Sequence, residues 1–476
     1  MEELNLLNPP FDRYASKEIA EIFSYENKIK LWRKLWVALA ESEMELGLPI
    51  NKEQIEELKK YQNILNTDVA KEFEKETRHE VMAHIKAYGA QATSAAGIIH
   101  LGATSCYVLD NAEIIMIDNA LSVISGKLLS TIDNLSKFAY RYKDVPALAY
   151  THLQPAQLTT VGKRATLWIQ DLLYDYLDLK DLKKQIKLRG VKGTTGTQAS
   201  FLDLLKDGKK VDELERKVLS KMGYSSAYGV TGQTYPRKFD YKVLSLLSSI
   251  AQSTYKFSND LRILQSFKEM EEPFEKTQVG SSAMAYKRNP MRSERISSLS
   301  RYVITLPLNA SITSSTQWFE RTLDDSANKR IVIPQAFYAL DGILNLMLNV
   351  TEGLVVYEKV VEKRVLDELP FMATENIIME GVKRGKDRQK LHEAIRTLSM
   401  KAAENVKLNG KENGLLDLIK NDENFKDYYG EIESSLTPSA FIGRAPEQVE
   451  LFLKNEVKPV LDANKAELGR SAKISV

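Results

Sequence analysis

The chain has 476 residues, 43% of them apolar, and carries 66 Lys and Arg against 64 Asp and Glu for a formal charge of +2. That length holds the cores of two to four domains, and the even charge balance excludes a general nucleic-acid binder while allowing a local cationic pocket. The one cysteine, Cys106, permits neither an internal disulfide nor a cysteine-based zinc cluster.

The N-terminus, Met1-Glu2-Glu3-Leu4-Asn5, is acidic and lacks the apolar core of a signal peptide. No unbroken apolar run approaches the roughly 18 residues that span a bilayer. A soluble, cytoplasmic protein is expected. Gly (23) and Pro (14) are scarce, and no proline occurs from Pro49 to Pro146 or from Pro155 to Pro236. Scarce breakers permit long helices.

In chain order, residues 1–105 read as an N-terminal helical domain with polar, Gly-containing turns. Apolar stripes at helical spacing then follow: Ile114 to Ala139, Val161 to Ile186, and Leu244 to Leu264. A fourth helix is predicted from near Pro290, bent at Pro307, and a fifth from about Pro334 towards Tyr357. Stripes this long and narrow suit side-by-side packing, so residues 106–358 are expected to form a long five-helix bundle. Residues 359–476, more polar and rich in Lys and Glu, read as a smaller helical domain. No alternating run predicts a substantial sheet. The fold class is therefore all-α with three helical domains, and the bundle's long sides suit burial in an oligomer.

Five histidines exist. His79 and His84 are five apart, about 140° around a helix, so they do not make the two-histidine zinc motif, which needs a spacing of four. His152 lies in a short polar break, Thr151 to Gln157, between two stripes, and fits either a turn or a site. His100 begins His100-Leu101-Gly102-Ala103-Thr104-Ser105, which fits a helix cap or an anion-binding turn; His100 itself reads as structural and His392 as surface. The Gly190 to Gln198 segment fails the nucleotide-binding fingerprints but allows a ligand near its backbone.

The strongest anomaly is the polar interruption from Glu269 to Arg292. Loops of that length tend to be functional lids or disordered, and a solvated charged linker is the plainer alternative. It holds Gly280-Ser281-Ser282, then Lys287-Arg288-Asn289-Pro290, then a fresh helix whose N-terminus could bind an anion. Downstream, Arg321 and Arg330 are nine apart and point to opposite sides of a regular helix, so one ligand reaches both only if the segment bends. The expected ligand is a multiply anionic small molecule.

Gly280 to Asn289 resembles the signature Gly-Ser-Ser-x-Met-x-x-Lys-x-Asn of the fumarase/aspartase superfamily of lyases. The Lys-Arg-Asn-Pro ending and Arg292-Ser293-Glu294-Arg295 resemble its adenylosuccinate lyase family. Arg78 to His84, Leu101 to Ser105, Thr151 to Pro155 and Thr231 to Tyr235 also match, in order, over some two-thirds of the chain. Ala285 stands where proline is usual, and Glu80 where aspartate is usual. The resemblance implies β-elimination of fumarate from an N-succinyl nucleotide, without metal or other cofactor. It implies Ser281 as base, Lys287 as stabiliser of the carbanion's charge, His152 as acid, Glu294 as the group orienting it, and His79 as a substrate-binding histidine at the catalytic centre. Arg13 and Tyr14 are implied as phosphate contacts. Arg78, Glu80, Thr104, Ser105, Gln233, Asn289, Arg295, Arg321, Ser326 and Arg330 are implied as the remaining substrate shell. A homotetramer with a twenty-helix core and sites shared between subunits is implied as well. Another fumarate-releasing lyase, or a silent structural relative, are the alternatives.

Overall fold

The apolar stripes become helices of the length their spacing demands. A computed structural model describes residues 8–275, 278–280 and 282–472. Seven helices position everything that follows: α1 (Tyr25–Glu45), α2 (Glu80–Gln91), α3 (Ser105–Arg141), α4 (Val161–Lys184), α5 (Lys238–Ser266), α6 (Met291–Thr305) and α7 (Asp325–Glu352). The last five form the bundle. α3 packs on α4 and α7, α5 on α4, α6 and α7, and α6 on α7. Ile114, Leu121, Leu128, Leu135, Leu172, Tyr176, Leu247, Leu261, Phe337 and Leu344 meet in one buried core that also takes in Trp32 and Trp36 of α1.

α3 and α7 are long and apolar enough to cross a membrane by composition, but the windows concerned are 83% and 78% buried inside the protein. They are the centre of the core. A second cluster, from Ala373 to Ile432, has its own apolar centre. Val449 and Val457 then return to the main core.

Two expectations need correction. The fifth bundle helix begins at Asp325, nine residues before Pro334, and runs through that proline to Glu352. An internal proline forfeits a backbone hydrogen bond. Here the preceding turns are held by a buried ion pair of Asp325 and a partly buried one of Lys329, so the helix continues. The polar break around His152 is not a plain turn either. It is the tip of a hairpin, β1 (Pro146–Thr151) antiparallel to β2 (Gln154–Thr160). Leu148 and Leu158 are paired across it and face a small apolar cluster with Val365 and Leu369. The bend at Pro307 is as expected: α6 ends at Thr305 and a short helix, Pro307–Ser315, follows.

Direction within the bundle decides where chemistry can gather. α3, α5 and α7 all start at one end, where Asp110, Arg237 and Asp325 meet. α5 and α7 finish together at the other end, where β3 (Met270–Glu271) pairs with β4 (Val355–Val356). The hairpin sits at that second end, with Tyr150 packed on Phe267. With 29 residues in α5, the two ends are about 42 Å apart at 1.5 Å per residue.

Candidate active site

At the first end the starts of α2 and α3 face each other. His79 is the N-cap of α2, its Nδ1 accepting from the Met82 backbone N–H at 3.2 Å. That bond leaves the neutral ring's proton on Nε2, which lies 3.3 Å from Ser105 Oγ. Thr104 is the N-cap residue of α3, yet its side chain makes no capping bond. The Tyr107 N–H donates to the Thr104 carbonyl at 2.8 Å, and the N–H groups of Ser105 and Cys106, at the start of a 37-residue helix, receive no side-chain cap from Thr104. The side-chain cap expected as one reading of Thr104-Ser105 is not formed. Arg78 precedes His79 in a left-handed conformation, φ 48°, and is exposed.

Arg321 joins this group because the chain bends. Residues 317–324 are irregular and α7 begins only at Asp325, so the nine-residue spacing to Arg330 does not force them apart. Arg321 donates to Gln233 Oε1 at 2.6 Å and lies 2.9 Å from Cys106 Sγ. Gln233 Nε2 reaches Thr104 Oγ1 at 3.5 Å, and its backbone N–H donates to the Glu320 carbonyl at 3.0 Å. Arg330 reaches Glu80 at 3.2 Å, and Glu80 pairs with Lys28 at 2.6 Å. Burial works to raise the Glu80 carboxyl's pKa, but Lys28 and Arg330 outweigh it and hold the group below its usual range. Arg321, Ser326 and Arg330 line one cavity of about 260 Å³ with Tyr25, Lys28 and Lys329.

The floor of this cavity is ionic. Arg237 donates to Asp325 at 2.5 Å and to Asp110 at 3.1 Å, while Lys329 pairs with Glu113. Burial opposes charge on Asp110, yet Arg237 and Lys329 keep its pKa below the usual carboxylate range. Asp240 is pushed up to about 7, by burial first, against the pull of Arg237. Buried charges survive only when paired, and both members of these pairs, Asp110, Glu113 and Asp325 with Arg237 and Lys329, line the cavity. The partners come from α3, α5, α7 and the segment before α5, so no local motif announces them. Lys28, Arg237 and Lys329 are the residues sequence reasoning missed.

His84, the other half of the discarded zinc spacing, is buried and takes a hydrogen bond from Tyr25 Oη at 2.6 Å. Burial pushes its pKa down to about 4. His100 accepts from Trp36 Nε1 at 2.9 Å, the structural role expected of it. The Gly190 to Gln198 segment does not cradle a ligand. Arg189 fills it, donating to the carbonyls of Gly193 at 2.6 Å and Gln233 at 2.8 Å. Gly196 has φ +85°, and a Cβ there would collide with the Thr231 carbonyl; its missing side chain admits the chain itself.

The second end carries a different set. His152 and Leu153 form the two-residue hairpin tip with φ of 56° and 55°, the paired positive values of a type I′ turn. The tip projects the His152 ring into solvent. Nearby, the polar segment after α5 folds back: Asn289 Nδ2 donates to the Gly280 carbonyl at 2.7 Å. Lys287 is exposed, and Ser281 lies outside the described residues. The N-terminus of α6 is not an open anion site, contrary to expectation. Glu272 occupies it, accepting from the N–H groups of Arg292 at 3.0 Å and Ser293 at 2.9 Å and from Ser293 Oγ at 2.9 Å. Glu294 is exposed and Arg295 half-buried one turn in. Among the described residues, no side-chain hydrogen bond or ion pair links Glu294 to His152. Arg13 and Tyr14 lie at a third place, against the middle of α7 beside Gly342.

Comparison with known proteins gives this arrangement a family. A family model described as lyase matches residues 14–305, and one described as adenylosuccinate lyase C-terminus matches 370–452. The chain is 53% identical over 461 residues to the adenylosuccinate lyase of Saccharomyces cerevisiae, covering 96% of each chain. It is 51% identical to that of Schizosaccharomyces pombe, covering 97% of each.

The chain belongs to the adenylosuccinate lyase family.

Solved structures agree on the fold. The 3-carboxy-cis,cis-muconate lactonizing enzyme of Pseudomonas putida superposes with a TM-score of 0.82 over 94% of this chain and 98% of that one, at 19% identity. A fumarate lyase from Mesorhizobium gives 0.79 over 93% and 99%, also at 19% identity. At such identity they speak for the architecture alone. Within the adenylosuccinate lyase family frame, one chain gathers His79, Glu80, Thr104, Ser105, Gln233, Arg321, Ser326 and Arg330 at one bundle end. It carries His152, Lys287, Asn289, Glu294 and Arg295 at the other.

Proposed function

We propose that the chain cleaves adenylosuccinate to AMP and fumarate, and the succinyl-aminoimidazole carboxamide ribotide to the aminoimidazole carboxamide ribotide and fumarate. The observation that carries this reading is whole-length identity above 50% to two proteins named for the first reaction. The chemical difficulty is a carbon acid: a proton must leave the carbon beside a carboxylate, adding charge to an existing anion. A placed base and a cation meeting the growing dianion both lower that barrier. In the proposed mechanism Ser281 takes the proton and Lys287 meets the charge. His152 protonates the departing nitrogen, with Glu294 orienting its imidazole, and His79 holds substrate through its Nε2 edge. Arg78, Arg295, Arg321 and Arg330 grip carboxylate and phosphate, for which a planar, permanently charged fork is suited. Asn289, Ser326, Thr104, Ser105, Gln233 and Glu80 complete the polar shell, and Arg13 and Tyr14 contact the phosphate.

These groups meet only in an assembly. Two sets about 42 Å apart along one bundle come within reach of one ligand when antiparallel bundles lie side by side. We infer a homotetramer with a twenty-helix core and shared sites, working in the cytoplasm. The exposed Val230, Trp318, Phe319 and Leu323 at the first end, Leu153 at the second and Tyr174 midway along α4 supply apolar surface for such packing. The test is the absorbance change as adenylosuccinate is converted, with Ser281→Ala alongside. No turnover by folded protein overturns the function. A loss below about tenfold in the variant, or roughly 1.4 kcal/mol, overturns Ser281 as base.

A further inference from the structure

Residues 10–14 are a short helical segment whose Asp12 and Arg13 face solvent. Its attachment to the bundle is nonetheless ionic and buried. Asp341 on α7 is fully buried and accepts from the Ser16 backbone N–H at 2.6 Å. Lys127 on α3, 5% exposed, pairs with Asp341 and donates to Ser16 Oγ at 3.2 Å and Asn345 Oδ1 at 2.8 Å. Asn345 in turn donates to the Tyr14 carbonyl at 3.2 Å. Between them, Gly342 leaves a gap that Tyr14 fills: a Cβ at 342 would sit 2.5 Å from the Tyr14 Cβ. Phe11 packs edge-on against Tyr338 one turn earlier, ring centroids 5.4 Å apart.

A buried ion pair is a weak way to add stability, because desolvation offsets the attraction; what it adds well is a unique geometry. Apolar contacts would hold this segment against α7 but would tolerate sliding. Here the Ser16 N–H and the Tyr14 C=O are each bound to a group that is itself held by Lys127. The backbone on either side of Ala15 is thereby fixed in direction, and with it the path along which Arg13 leaves the surface.

We propose that Lys127, Asp341, Gly342 and Asn345 are positioning residues that set the substrate-phosphate affinity of Arg13 and Tyr14 from inside the bundle. The inference rests on the reading of Arg13 and Tyr14 as phosphate contacts. None of the four touches substrate. They act on binding by holding the segment's backbone, and the elimination step proceeds elsewhere.

Steady-state kinetics on adenylosuccinate with Asn345→Ala and, separately, Gly342→Ala test this. Each is expected to raise KM about five- to twentyfold with kcat within about twofold, the pattern of lost uniform binding. Inhibition by AMP should weaken in parallel. In an R13A/Y14F background, Asn345→Ala should change KM by less than about twofold, because the contacts it positions are gone. Unchanged KM in both single variants, whatever their melting temperature, overturns the proposal. So does a full KM increase from Asn345→Ala in the R13A/Y14F background. If R13A/Y14F by itself leaves KM unchanged, the phosphate reading fails on that measurement alone, and the positioning role falls with it.

Discussion

Mixing two inactive variants should restore activity if the site is assembled from different chains. The perturbation pairs His79→Ala, at the first bundle end, with Lys287→Ala, at the second. A site built within one chain would be broken in every molecule of the mixture. The two residues, however, lie at opposite ends of α5, about 42 Å apart by its 29 residues, beyond the span of a small nucleotide. In randomly reassembled oligomers, each site draws its first-end residues from one chain and its loop from another. At equal input the chance that both are intact is one half times one half, so about one quarter of wild-type activity returns. The assay is turnover after co-dissociation in mild denaturant and dilution, against each variant treated alone. Recovery should follow the product of the two fractions as the ratio varies. Activity that stays at the sum of the two parents would refute a shared site.

Three further outcomes follow from the interior. Glu43 is buried, neither carboxyl oxygen has a hydrogen-bond partner among the described residues, and burial pushes its pKa up to about 9. Folding therefore holds a proton that the unfolded chain releases above its ordinary pKa near 4.5, and stability is lost as pH rises from 4.5 to 9. Glu43→Met should stabilise the protein by roughly 2–4 kcal/mol at pH 7.5 and by little at pH 4.5; thermal unfolding at both values checks this, and a pH-independent gain contradicts it. Arg237→Met strips Asp110 and Asp325 of their shared partner, and urea unfolding should show a loss of about 3–5 kcal/mol. Gly196→Ala meets both a φ of +85° and the Thr231 carbonyl, so a loss above the roughly 1–3 kcal/mol of backbone strain is expected, with lowered soluble yield as its first sign.

The stripes of α3, α4 and α5 were legible because a buried helix face repeats every three to four residues, a pattern local to the segment. The start of α7 was not, because Pro334 reads as a beginning while ion pairs to residues far away in sequence make it an interior position. The hairpin at His152 was hidden for a related reason: β1 and β2 span only six and seven residues, and a two-residue tip in a non-glycine sequence carries no turn signal. The helix N-terminus at Met291 looked open because nothing in the segment shows that Glu272, nineteen positions earlier, caps it.

By itself the sequence determined the all-helical class, the long bundle and the family, since periodicity and ordered motifs are properties of short stretches. It also put the proposed reacting residues at named positions. Only the tertiary structure decided which of them meet. It brought Arg321 and Arg330 to one cavity by a bend, and set His79 and Lys287 at opposite ends of the bundle. Those outcomes depend on contacts between residues some 80 to 250 positions apart, whose partners are chosen by packing and buried charge balance, and no window of sequence contains both sides of such a choice.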